Sequence, residues 1–331
     1  MEYKYFGRTG VKISPLCFGT MSFGGDADKA TSAEMYRLCR DSGINIFDCA
    51  NVYQAGTAEE YLGEFIRDER QDIFITSKVY FPTGKGVNDG GSTRKHIRHA
   101  LEDSLRRLGT DYIDIYFLHR FDDNAPLEET LSVLNDLVHQ GKILYAGVSN
   151  FSAWQTQKSV DLAAQHGYSG IQCVQPMYNL VKRQAEIEIF PQAQNEGLAV
   201  FPYSPLGGGL LTGKYSSSNS PDQGRLLTNA RYKTRYGVSW MEETAARYKE
   251  FAESEGLNPV SLAIAWVASH PAVTAPIIGA RNTNQLRDCL KALEIDMGGG
   301  LRERMSALSP EPPPSTDRNE EKTPHNYGVR K

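Results

Sequence analysis

The chain lacks the marks of several large protein classes, and each absence narrows its chemistry. Its five cysteines, Cys17, Cys39, Cys49, Cys173 and Cys289, are odd in number and show no C-x-x-C spacing. That argues against a disulfide framework and a zinc site and fits a reducing compartment. Basic runs long enough to track a phosphate backbone are missing; 36 Lys and Arg face 40 Asp and Glu, for a net charge of -4. This balance argues against a nucleic-acid partner. A long apolar run is missing too, since the most apolar segment, Leu262 to Ala280, is broken by His270, Pro271 and Pro276. The opening MEYKYFGRTG has no signal-like apolar stretch, so the expectation is a cytoplasmic protein without export or a membrane partner. Finally, no G-x-G-x-x-G turn follows the first strand candidate, which disfavours an open doubly wound sheet.

What is present is a rhythm. The 331 residues, 40% hydrophobic, suffice for a sizeable core. A hairpin is expected from Tyr3 to Phe6 and Val11 to Ser14 around Gly7 to Gly10. Eight strand candidates follow, at Pro15 to Gly19, Ile44 to Cys49, Asp72 to Lys78, Tyr112 to His119, Leu144 to Ser149, Ile171 to Gln175, Ala199 to Tyr203 and Thr274 to Gly279. Helical patterns separate them. In Ser92 to Leu108, the residues Ile97, Leu101, Leu105 and Leu108 form one stripe before Gly109; Leu127, Leu131, Leu134 and Val138 form another before Gly141. Regular alternation of this kind predicts an α/β fold closed into a (β/α)8 TIM barrel with long loops at its C-terminal face. The expected division is a hairpin cap over 1–14, a barrel over 15–296 and a tail over 297–331. Leu206 to Val238, rich in Gly, Ser and Asn, reads as a mobile loop over the mouth. From Ser309 the prolines and charges read as a solvated tail.

In such a barrel the strand ends open onto one face, so distant residues become neighbours. Asp48, Lys78 and His119 end the second, third and fourth strands, with Tyr53 five residues past Asp48. A phenol with pKa about 10 holds its proton at neutral pH and surrenders it reluctantly unless a cation is near. Lys78 beside Tyr53 would lower that pKa, Asp48 would keep Lys78 charged and aimed, and His119 would donate a hydrogen bond to the same oxyanion. Each residue alone has a plain structural explanation, as a cap, a surface tyrosine, a snorkelling lysine or a core histidine. Four together at neighbouring strand ends favour a site.

These residues stand in stretches that resemble the aldo-keto reductase superfamily: FGTMSFG from Phe18, FDCANVYQAGTAEEYLGEFI from Phe47, TSK from Thr76, LRRLGTDYIDIYFLHR from Leu105, GVSNF from Gly147, YSPLGGGLLTGKY from Tyr203 and PIIGARNTNQL from Pro276. The resemblance implies a TIM barrel that reduces aldehydes and ketones with NADPH, and places the catalytic tetrad on Asp48, Tyr53, Lys78 and His119. It further implies that Ser149, Asn150 and Gln175 clamp a carboxamide, with Tyr203 stacked on the nicotinamide ring. Ser204, Leu206, Gly208, Leu210 and Lys214 would serve the pyrophosphate. Arg281 suits a 2′-phosphate, which favours NADPH over NADH, and Gln285 and Asp288 lie toward the adenosine. Gly19, Thr20, Met21 and Gly279 match positions around the cofactor. Cys49 and Asn51 stand where the family often has Thr and Asp, and Cys289 where many members have Asn.

Tyr80, Phe81, Arg120 and Phe121 follow the third and fourth strands, and with Tyr53 and His119 are expected to line the substrate pocket. Their mixture of aromatic walls and one cation suits a small polar carbonyl such as a sugar aldehyde. No metal is expected, and the assembly is expected to be a monomer or homo-oligomer. An alternative within the superfamily is a cofactor-binding auxiliary protein of the potassium-channel β-subunit type, with little turnover. Other motifs read as coincidence. Gly208-x4-Gly213-Lys214 approaches a phosphate loop but Tyr215 replaces the magnesium-binding hydroxyl. Tyr178 and Lys182 have Y-x-x-x-K spacing without a glycine-rich turn. His96 and His99, flanked by Arg94, Lys95 and Arg98, read as a solvated face. Gly298 to Gly300 reads as a flexible joint.

Overall fold

A computed structural model describes residues 1–215 and 224–324. Antiparallel β1 (Lys4–Tyr5) and β2 (Lys12–Ile13) open the chain. Strands and helices then alternate: β3 (Cys17–Gly19), α1 (Lys29–Asp41), β4 (Ile46–Asp48), α2 (Thr57–Phe65), β5 (Phe74–Val79), α3 (Arg94–Leu108), β6 (Ile113–Leu118), α4 (Leu127–His139), β7 (Ile143–Ser149), α5 (Ala153–His166), β8 (Ile171–Gln175), α6 (Ile189–Glu196) and β9 (Ala199–Val200). Next come α7 (Arg225–Thr228), α8 (Ala230–Tyr236), α9 (Ser239–Ser254), α10 (Pro259–Ala268), β10 (Ile277–Ile278), α11 (Thr283–Leu290) and α12 (Leu301–Ser306).

From β3 to β9 each strand pairs in parallel with the next, and β10 pairs with β3. The remaining seam joins the segments around β9 and β10: Thr274 N and Ala275 N donate to Val200 O at 3.0 and 3.3 Å, and Ile277 N to Pro202 O at 2.8 Å. The eight-stranded sheet thus curls onto itself as the expected barrel. β9 and β10 are shorter than the sequence suggests because Pro202 and Pro276 have no N–H for the ladder. Their carbonyls still take part, Pro276 O accepting from Cys17 N at 3.0 Å. β5 and β6 are buried along their whole length, as strands with helices outside and packed side chains inside must be. α3 shows how the outer layer is written. Thr93 caps it, Ile97, Leu101, Leu105 and Leu108 are buried, and Gly109 ends it at φ 62°.

The hairpin closes the N-terminal end. Phe6 is fully buried, with ring centroids 5.4, 5.2 and 5.8 Å from Phe74, Tyr145 and Phe201. Gly7 has φ +51°, and a Cβ there would lie 2.9 Å from Gly197 O, so the close docking of this turn requires glycine.

Three expectations need correction. Leu206 to Val238 is not a plain loop: a 3-10 segment spans Gly207–Thr212, and α7 and α8 follow. Asn229 caps α8 by accepting from Arg231 N and Tyr232 N. The part of that stretch over 216–223 lies outside the described residues. His96 and His99 do not share a solvated face, since His96 is buried while His99 is exposed. The apolar stripe of α3 is wide enough to include the row His96, Ala100 and Ser104, all buried. Nor is the tail wholly solvated. Leu301 and Met305 of α12 are buried, Trp266 Nε1 donates to Ser306 Oγ at 2.9 Å, and Ser309 and Pro312 are buried. Tail residues 325–331 lie outside the described residues.

Candidate active site

The C-terminal ends of β4, β5 and β6 meet around one buried ammonium. Lys78 Nζ donates to Asp48 Oδ2 at 2.6 Å and to Cys49 O at 2.7 Å, and lies 3.5 Å from Tyr53 OH and 5.1 Å from the centre of its ring. Asp48 Oδ1 accepts from Thr76 Oγ1 at 2.7 Å and from Gln175 Nε2 at 2.9 Å. Both carboxylate oxygens are therefore engaged, which fixes the direction of the Asp48–Lys78 pair. Thr76 was not singled out from sequence. The signal was available, because Thr76 and Lys78 are two apart on β5 and so share a face.

Tyr53 reaches the ammonium through an unusual backbone. It begins a short turn in which Gln54 (φ 48°), Ala55 (φ 53°) and Gly56 (φ 101°) are all left-handed. Gln54 Nε2 donates to Met21 O at 3.3 Å, tying this turn to the end of β3. Five non-glycine residues have left-handed φ among those described: Gln54, Ala55, Asn150, Ser204 and Asp317. All but the last lie in loops at the C-terminal face, where strain of this kind concentrates at working sites.

Burial pulls the Lys78 ammonium down, but Asp48 and then Tyr53 more than offset it, so the lysine is raised and stays charged. For Tyr53 the expected direction is corrected. Burial pushes the phenol up to about 12 although Lys78 pulls it back. One ammonium at 3.5 Å, itself engaged by Asp48, does not outweigh loss of water around the ring. His119 lies edge-on to Tyr53 with centroids 6.1 Å apart and to Phe81 at 5.0 Å. Burial, aided by the Lys78 charge, lowers it to about 3, so its imidazole is neutral at ordinary pH. His119 Nδ1 is buried with no hydrogen-bond partner.

A second polar set adjoins the first. Ser149 Oγ donates to Gln175 O at 3.0 Å. Asn150 (φ 57°) donates from Nδ2 to His119 O at 2.9 Å and to Ser149 Oγ at 3.1 Å, while its Oδ1 accepts from Tyr203 OH at 2.6 Å. Ser149, Asn150, Gln175 and Tyr203 are thus connected to the tetrad. Thr20 Oγ1 donates to Asp48 O at 3.1 Å, so Gly19, Thr20 and Met21 border it as well. A Cβ on Gly279 would meet nothing nearer than Gly19 O at 4.0 Å, leaving open space above that strand end.

The other expected residues are more peripheral. Leu206, Gly208 and Leu210 form the turn after β9, with Gly208 at φ 67° and Ser204 at φ 57°. Lys214 Nζ lies 5.0 Å from the Tyr215 ring centre. Arg281 Nε is 3.1 Å from Asp26 Oδ2, and its backbone N donates to Gln285 Oε1 at 3.0 Å. Asp288 pairs with Lys291 at 3.8 Å. Tyr80 packs on Phe81 at 5.3 Å, whereas Phe121 packs on Phe151 at 5.2 Å and on Trp154 at 5.8 Å. Trp154, 61% exposed, extends that aromatic wall and was missed because an isolated tryptophan early in a helix carries no spacing signal. Arg120 is exposed beside His119. Tyr178, of the Y-x-x-x-K coincidence, is buried and donates to Glu186 Oε1 at 2.5 Å. Among the described residues no group of three or more His, Cys, Asp or Glu is placed to hold a metal, and no helix is long and apolar enough to cross a membrane.

The sequence profile of the Aldo/keto reductase family matches residues 15–298. An uncharacterized oxidoreductase of Bacillus subtilis (strain 168), YrpG, is 37% identical over 324 residues, covering 94% of this chain and 97% of its own. A probable voltage-gated potassium channel subunit beta of Oryza sativa subsp. japonica is 37% identical, covering 89% and 92%. Protein tas of Escherichia coli (strain K12) is 32% identical, covering 93% and 97%.

Proposed function

The chain belongs to the aldo/keto reductase family, and from that premise we propose that it reduces an aldehyde or ketone to an alcohol with NADPH, Tyr53 acting as general acid. The observation that carries this reading is Lys78 Nζ, 2.6 Å from Asp48 Oδ2 and 3.5 Å from Tyr53 OH. When bound, the dinucleotide supplies the hydride that the carbonyl carbon takes up. Tyr53 delivers its proton to the carbonyl oxygen, and the resulting phenolate is left beside the charged Lys78. A phenol raised to about 12 supports this role in one respect: it keeps its proton at neutral pH until an alkoxide, a stronger base, develops. Neutral His119 donates a hydrogen bond to the same oxygen and lends orientation.

The polar set beside the tetrad supports a nicotinamide cofactor. Ser149, Asn150 and Gln175 offer donors and acceptors for a carboxamide, and Tyr203 a flat face for the ring. The glycine-permitted turn at Ser204, Leu206, Gly208 and Leu210, with Lys214, suits the pyrophosphate, as Gly19, Thr20, Met21 and Gly279 suit the ground beneath it. Arg281 suits a 2′-phosphate, with Gln285 and Asp288 toward the adenosine. Tyr80, Phe81, Arg120 and Phe121 form the walls for a small polar carbonyl, a sugar aldehyde being the type to try first. The setting proposed is cytoplasmic, as a monomer or homo-oligomer.

The potassium-channel-type relative favours a second reading, a cofactor-binding auxiliary subunit. A panel of aldehydes, ketones and aldoses, run with NADPH and NADH in both directions, separates the two. Sustained NADPH oxidation with stoichiometric alcohol supports the reductase. Tight cofactor binding with negligible turnover across the panel would overturn it in favour of the auxiliary protein.

A further inference from the structure

One ion pair lies where the adenosine end of the cofactor is proposed to sit, and the proposed reaction does not use it. Arg281 follows β10 and Asp26 follows β3. These strands pair in parallel, so their loops leave the barrel side by side. Asp26 stands at the tip of a tight turn in which Gly25 N and Ala27 N donate to Ser22 O, and Gly24 N to Ala27 O. Buried Ser22 then donates from Oγ to Ala280 O at 2.7 Å, pinning the turn to the residue before Arg281. The Asp26 carboxylate is thereby presented to Arg281 Nε at 3.1 Å, with the two side chains 45% and 36% exposed.

Resting on the reading that Arg281 receives a 2′-phosphate, we infer that Asp26 sets the cofactor preference. Its carboxylate opposes the 2′-phosphate of NADPH and offers an acceptor to the free ribose 2′-hydroxyl of NADH. An exposed ion pair contributes little to stability, so the consequence of Asp26 lies in the local charge. A phosphate seated on the same guanidinium must sit well inside one Debye length, about 8–10 Å, of the carboxylate, and the two anions repel. A carboxylate accepting from a ribose 2′-hydroxyl is a general means of recognising the unphosphorylated dinucleotide. Arg281 and Asp26 therefore pull the preference in opposite directions, and the chain discriminates less between the two cofactors than Arg281 alone would dictate.

The test is a fluorescence titration of the full chain with NADPH and with NADH, for the wild type, Asp26→Asn and Asp26→Glu, at low and high salt, with urea unfolding as a check on the fold. Asp26→Asn is expected to tighten NADPH about fivefold, or about 1 kcal/mol, without tightening NADH. The gain should shrink at high salt, and Asp26→Glu should stay near the wild type. Equal shifts for both cofactors, no shift in either, or weaker NADPH binding would each overturn the inference while leaving the reductase reading intact. A wild type that binds neither cofactor would overturn both.

Discussion

The two ends of one barrel are built to opposite rules. At the N-terminal end Phe6, Phe74, Tyr145 and Phe201 stack against each other, with Ile13, Cys17, Ile46 and Ile115 completing an apolar plug. At the C-terminal end the same strands deliver Asp48, Lys78 and Gln175, all buried, with Tyr53 and His119 around them. The backbone there adopts left-handed conformations at Gln54, Ala55, Asn150 and Ser204. Nothing in strand register distinguishes the ends; only the residues at the tips do. The plug is apolar and chemically inert, whereas the mouth holds desolvated charges and left-handed residues, both of which cost stability.

Substitutions at each end should therefore separate stability from chemistry. The largest effect is expected for Lys78→Met, which leaves the buried Asp48 carboxylate without its cation. Stability should fall by about 3–5 kcal/mol in urea unfolding, and turnover should be lost with it. At the other end Phe6→Ala should cost a similar stability, about 3–5 kcal/mol, yet leave turnover per folded molecule unchanged. Impaired kcat in that variant at a temperature where it is fully folded would erase the distinction between the ends.

A smaller effect concerns pH. The native His119 imidazole is lowered to about 3 from the ordinary 6.5. Above pH 6.5 neither the folded nor the unfolded state carries the charge, so the group is neutral to stability there. As pH falls below 6.5 only the unfolded chain takes up the proton, and stability declines toward pH 3. At pH 5 this amounts to about 1–2 kcal/mol, and it should be missing from His119→Gln when melting temperatures of the two proteins are compared between pH 7 and pH 5. By the same logic an acid limb near pH 6.5 in wild-type kcat, absent from His119→Gln, would contradict a neutral His119. The smallest effect is expected for Ser204→Gly. Removing the left-handed penalty should raise stability by about 0.5–1 kcal/mol while weakening NADPH binding, both read on one preparation by urea unfolding and cofactor titration.

Much of this was legible in the sequence, for definite reasons. Strand ends in a closed parallel barrel share a face, so Asp48, Lys78, His119, Ser149 and Gln175 could be gathered without coordinates. The covalent spacing of Tyr53 from Asp48 kept it within reach. What escaped depended on the environment in three dimensions. The net shift of Tyr53 is set by how far water is excluded, against a cation shared with Asp48, and no spacing encodes that balance. His96 looked solvated because its neighbours Arg94, Lys95 and Arg98 are charged, although its own row on α3 is buried. The helix at Ala230–Tyr236 was hidden by the Gly- and Ser-rich residues before it, even though Asn229 is a good cap. Asp26 was silent because its partner Arg281 lies at the far end of the chain and meets it only when β10 pairs with β3.

The central claim is that Tyr53 supplies the proton while its neighbours hold the cofactor and steady the phenolate. It is tested most directly by single-turnover oxidation of bound NADPH in the wild type and in Tyr53→Phe, with the best carbonyl substrate. Unchanged NADPH affinity and a hydride-transfer rate reduced by about 10²–10⁴-fold are expected. A Tyr53→Phe protein that oxidises its bound NADPH at the wild-type rate would contradict it.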